Sequence, residues 1–130
     1  MSYLPHLEPE LHDGTFVFTT VPFGTDITGL DVVATMREAE GLTLVLPLAQ
    51  AEQRGFDLAF VCAWITLRVE SALDAVGLTA AFARALADES IACNVVAGTH
   101  HDHLFVPVDR GDTALQCLRN LQRRAAGELP

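Results

Sequence analysis

Phe60-Val61-Cys62-Ala63-Trp64-Ile65-Thr66-Leu67-Arg68-Val69-Glu70 is the stretch whose reading decides the fold. Ile65, Leu67 and Val69 fall on one side of an extended chain, and Trp64, Thr66 and Arg68 on the other. That two-residue period is the mark of a β-strand. Immediately after it, Ser71 and Asp74 offer helix N-cap chemistry in S-x-x-D form. Leu78, Phe82 and Leu86 then recur at the spacing of one helical stripe. A strand feeds a loop, and the loop feeds a helix.

Working downstream, Ile91–Ala97 and His103–Val108 read as two strands around a Gly98–Asp102 turn. Asp112 is placed to cap a last helix with the stripe Leu115, Leu118 and Leu121. The order from residue 60 is β-α-β-β-α. Upstream, Leu48–Arg54 reads as a short helix ended by Gly55, and Asp31–Glu38 with Gly41–Leu46 as a hairpin closed by Pro47. Thr15–Val21 is a strand stopped by Pro22, Gly24 and Gly29, and the region around Leu7–Leu11 reads as a surface turn or short helix. The order before residue 60 is β-β-β-α. No convincing linker separates the halves, so two fused units are expected, 1–59 and 60–130. The class is α+β, with mostly antiparallel sheets carrying helices on one face.

Composition narrows the function. The 130 residues are 50% hydrophobic, enough for a core. Seventeen acidic residues face eight basic ones, a formal charge of −9, and every basic residue is Arg. Without Lys there is no P-loop lysine, Schiff-base lysine or lysine general base. The acidic balance argues against nucleic acid and against an anionic membrane surface. No apolar run reaches the ~18 residues of a membrane span. Met1-Ser2-Tyr3-Leu4-Pro5-His6 lacks the pattern of a signal peptide. Cys62, Cys93 and Cys117 sit apart in apolar runs and read as buried thiols in a reducing, cytoplasmic compartment.

Four segments carry a family resemblance: Trp64-Ile65-Thr66-Leu67, Ala75-Val76-Gly77-Leu78-Thr79-Ala80, Asn94-Val95-Val96-Ala97-Gly98 and His101-Asp102-His103-Leu104-Phe105-Val106-Pro107. The upstream run Thr35-Met36-Arg37-Glu38-Ala39-Glu40-Gly41-Leu42-Thr43-Leu44-Val45-Leu46-Pro47 adds to them. Together they resemble small bacterial proteins with paired ACT-type, ferredoxin-like domains, over roughly residues 13–122. The layout is also similar to the regulatory ACT domains of aspartate kinases and to the arginine sensors called CASTOR proteins. The resemblance implies a small amino acid held on the backbone amides of a strand-to-helix loop. It also implies a stand-alone sensor or regulator, since no kinase domain is present.

The candidate site follows from both readings. The loop and first helical turn give Ser71, Ala72, Ala75, Val76, Gly77, Leu78 and Thr79 as ligand-binding candidates. A helix N-terminus leaves about four N–H groups without intrahelical partners and favours a carboxylate. Gly77 lets a ligand approach the backbone; the plain alternative is an ordinary turn with glycine for steric relief. Asn94 can both donate to and accept from an amino-acid ligand, or bond a neighbour on the open sheet face. Asp102 can pair an ammonium or guanidinium group, or bond its own backbone as a turn residue. Arg68 and Glu70 are secondary candidates. The expected ligand position is where the second unit's loop meets the first.

His100-His101-Asp102-His103 suggests a transition metal and, further off, a metal-dependent hydrolase, but no Cys pair or Glu-x-x-His helix completes a shell. No Gly-x-Ser-x-Gly elbow, catalytic Cys-His arrangement or Gly-x-Gly-x-x-Gly loop is present, so neither an enzyme nor a cofactor is expected. A rival reading is an assembly module that only homodimerises, through an open sheet face bearing Trp64, Phe105, Phe16 and Phe18.

Overall fold

The computed structural model describes residues 3–130; Met1 and Ser2, the start of the stretch read as carrying no signal peptide, lie outside them. The strands are β1 (Pro9–Leu11), β2 (Phe16–Val21), β3 (Ala34–Glu38), β4 (Gly41–Pro47), β5 (Phe60–Leu67), β6 (Asn94–Ala97) and β7 (Asp102–Pro107). The helices are α1 (Leu48–Gln53), α2 (Leu78–Asp88) and α3 (Gly111–Ala125). Two compact units emerge: Asp13–Cys62, and Ala63–Pro130 together with the chain up to His12.

Within Asp13–Cys62, strands run in the order β3-β4-β2 and then the start of β5, all antiparallel. β3 and β4 form the expected hairpin, with Glu38 opposite Gly41. Val17, Val21, Leu44, Leu46 and Ala51 make the core. The chain between β2 and β3 has no helix. Ile27, Leu30 and Val32 pack on the core there, and the Arg54 guanidinium donates to the Asp26 and Thr28 carbonyls at 2.8 and 3.1 Å.

In the other unit the remainder of β5 pairs with β1, and the strand order continues β5-β7-β6. Ile65, Leu67, Leu104 and Val106 join Leu78, Phe82 and Leu86 of α2 and Ala114 and Leu118 of α3 in a single core. The helices therefore cover one sheet face, as the alternation of Phe60–Glu70 demands.

The N-terminal reading needs correction. Leu4–His6 is one 3-10 turn and Pro9–Leu11 is a strand, with Leu11 opposite Ile65 and Pro9 opposite Leu67. Three residues are too short for a period to be visible; the partner strand makes the element. The open aromatic face also fails. Phe105 is 0% exposed within its own chain and Phe16 is buried, while Trp64 and Phe18 are half-buried. The strongest argument for the homodimer reading goes with it.

Candidate functional site

After β5 the backbone keeps bonding to the N-terminal segment, Arg68 N donating to Glu8 O and Val69 N to Leu7 O at 3.0 and 3.2 Å. It then turns, with Ala75 N donating to Ala72 O at 3.0 Å. Gly77 starts α2 from φ 99° and ψ −15°, and no side chain caps the helix. The S-x-x-D reading is thereby corrected: Ser71 and Asp74 lie in the loop, short of the helix end. The left-handed backbone at the cap favours glycine because a Cβ is strained there.

A cavity of about 70 Å³ opens beside this turn, space for a few waters or one small polar head group. Ser71, Ala72, Leu73 and Ala75 line it from the loop, Leu78 and Thr79 from the first turn of α2, and Ala97, Gly98 and Asp102 from the β6–β7 hairpin. All belong to the same compact unit. The first amides of α2 have no intrahelical acceptors, and the helix dipole is positive at that end. Asp102 supplies the opposite charge. Burial pushes its carboxyl above the ordinary aspartate value, partly opposed by neighbouring His103. A positive pole and a carboxylate around one small space suit a zwitterion.

Six of the sequence candidates therefore meet at the cavity: Ser71, Ala72, Ala75, Leu78, Thr79 and Asp102. Gly77 shapes the turn without lining the space. Val76 is 90% exposed and points to solvent. Asn94 is exposed and stands opposite Phe105 in the β6–β7 register. Leu104 and Val106 face the helices, so Asn94 shares the other sheet face with Phe105 and lies outside the cavity. Leu73 lines the cavity from within the candidate loop, and Ala97 and Gly98 are lining residues that sequence reasoning did not select. Gly98 is readable only as a turn signal; it contributes by having no side chain. Arg68 is held by Glu10 through two bonds, of 2.6 and 3.0 Å, and Glu70 lies 3.8 Å from His100.

The sheet face away from the helices carries a second polar group. Trp64 Nε1 donates to His103 Nδ1 at 3.1 Å, and Thr66 Oγ1 is 2.9 Å from the same nitrogen. His12 Nε2 lies 2.7 Å from Thr66 Oγ1, and its ring stacks on Trp64 with centroids 3.5 Å apart. His12 was not a sequence candidate; only its position after β1 brings it here. Among the described residues no group of three His, Cys, Asp or Glu side chains converges as metal ligands, the histidine run included. Burial pushes the Cys62 thiol up to about 12 and the Cys93 thiol to about 11, so neither is a thiolate at neutral pH.

Comparison with known proteins agrees with this architecture. Two family models, each described as an ACT domain, match residues 2–63 and 60–120. A Vibrio cholerae protein of unknown function, described as a possible transport protein, is 45% identical with a TM-score of 0.84, over 92% of this chain and 93% of that one. The ligand-free regulatory subunit of Thermus thermophilus aspartate kinase shares the fold at 8% identity and TM-score 0.66, covering 87% and 95% of the two chains. An Agrobacterium tumefaciens protein does so at 19% identity and TM-score 0.65, covering 91% and 90%. No curated protein matches the sequence. Among the described residues no helix is long and apolar enough to cross a membrane.

Proposed function

The chain belongs to the ACT-domain family, as two such domains in tandem, and from that premise we propose that it is a non-catalytic regulatory protein that binds an amino acid or a related small metabolite. The observation that carries this reading is the cavity lined both by the first turn of α2 and by Asp102. The ligand's carboxylate accepts from the first amides of α2, and its ammonium group pairs with Asp102. Ser71 and Thr79 offer hydroxyls at the rim, while Ala72, Ala75, Leu78, Ala97 and Gly98 set the width. These residues fall in the domain we assign to 60–130, with 1–59 as the other domain in sequence, although residues 3–12 are compact with the later residues.

The reading needs no cofactor or metal. Burial raises the Cys62 and Cys93 thiols, so neither offers a thiolate nucleophile at neutral pH. The three free thiols suit a reducing cytoplasm. The Vibrio relative's description as a possible transport protein is compatible with solute binding. Calorimetry against the twenty amino acids is the test. Heat from one or a few of them, abolished in Asp102→Ala, is the expected result. Silence across the set at millimolar concentration would remove the amino-acid reading.

A further inference from the structure

The polar chain on the helix-free face of the C-terminal unit has a fixed direction. An indole N–H only donates, so Trp64 requires an unprotonated Nδ1 on His103. His103 therefore carries its proton on Nε2 when neutral. Thr66 can satisfy that same nitrogen only as a donor, which leaves its oxygen free to accept from His12 Nε2–H. His12 donates to Thr66, and Thr66 and Trp64 share the single lone pair of His103 Nδ1 as donors.

Thr66 is 1% exposed and Trp64 and His103 are half-buried, so water is a poor substitute for a lost partner. The chain ties β1, β5 and β7 together, since His12 follows β1, Trp64 and Thr66 belong to β5, and His103 belongs to β7.

We propose that His12, Thr66, Trp64 and His103 form a proton-operated latch on β7, closed while His103 is neutral and released when it takes up a proton. A proton on Nδ1 sets N–H against N–H at Trp64 and reverses the bond with Thr66. The ring must then turn away, and β7 loses its side-chain tie to β5. The charged groups around the ring are His12 beside β1, Arg68 after β5, and His101 and Asp102 flanking it on its own hairpin; β6 presents none. The first three oppose an added positive charge and Asp102 favours it, while burial also opposes it and is the largest influence. The latch holds at neutral pH and opens as pH falls through a value below that of an ordinary histidine. Asp102 stands next to His103 in the same strand, so opening reaches the hairpin that lines the cavity. The latch itself does not depend on what that cavity binds.

Trp64 is the single tryptophan, so its emission reads the latch directly. Wild-type emission titrated from about pH 8 to about pH 5 is expected to show a one-proton step. His103→Gln keeps an acceptor for Trp64 but has no proton to gain, and should erase the step; His12→Gln should retain one. Nitrogen chemical shifts of the His103 ring in the wild type should report the Nε2–H tautomer at the alkaline end. Amide exchange along β7, corrected for intrinsic rate, should accelerate roughly tenfold after the step. An Nδ1–H tautomer, a step that survives His103→Gln, or β7 exchange unchanged across the range would each overturn the latch. The wild-type ring shifts decide the matter even if a variant fails to fold.

Discussion

Asp102 and Gly77 illustrate how much of the proposed site rests on single residues. Asp102→Asn keeps the shape of the side chain and removes its charge. It should weaken an ammonium-bearing ligand by ~1.5–3 kcal/mol in calorimetry, the scale of one charge-assisted hydrogen bond. Because burial raises the Asp102 carboxyl above its ordinary value, affinity for such a ligand should fall as pH drops through that raised value. Unchanged affinity in Asp102→Asn would return the residue to the role of a turn former. Gly77→Val places a β-branched side chain at φ 99°. Strain of about 1–3 kcal/mol is expected in urea unfolding, together with loss of binding as the loop is displaced. Normal binding by the folded variant would remove the loop from the site.

At the scale of elements, β7 shows how a titrating side chain enters stability. Burial, with His101 and His12 nearby, holds His103 below the ordinary histidine value. The unfolded chain therefore takes up a proton that the folded chain declines, and stability rises with pH in that window. It is complete above about pH 6.5 and lost progressively as pH falls through the depressed folded value. Urea midpoints at about pH 7.5 and about pH 5.5 should differ in wild type and converge in His103→Gln. Strands with a sustained period, such as Phe60–Leu67, were legible in the sequence because one face is buried. β1 was not, since Pro9–Leu11 is a strand only by virtue of its partner. The cap of α2 was misread for a related reason: a Ser-x-x-Asp pattern is a local signal, whereas the left-handed turn at Gly77 depends on where the chain must go next. For Asn94 the sequence left a ligand contact and a place on the open sheet face as alternatives, because its face depends on a register that only the pairing with β7 supplies. Ala97 and Gly98 matter for their smallness, which leaves no mark in a search for functional groups.

For the whole molecule, the burial of Phe105 changes what a charged substitution there should do. Phe105→Glu places an unpaired carboxylate at a site with 0% exposure, which costs on the order of 3 kcal/mol or more. Loss of folding stability in urea is the expected outcome, with no dissociation of an assembly beforehand. A fully stable variant whose mass halves in light scattering would restore the homodimer reading. The membership of the N-terminal segment has a different consequence, for building a shorter protein. Residues 3–12 pack with Ala63–Pro130, and Leu11 lies opposite Ile65 in an antiparallel ladder. The polypeptide thus leaves one unit at Asp13, completes the other, and returns at Ala63. An Asn-Gly turn spliced between Asp13 and Ala63 would close β1 and β5 into an ordinary hairpin. Such a miniature should melt cooperatively on its own in a calorimeter, whereas a fragment that begins at Ala63 and lacks β1 should not.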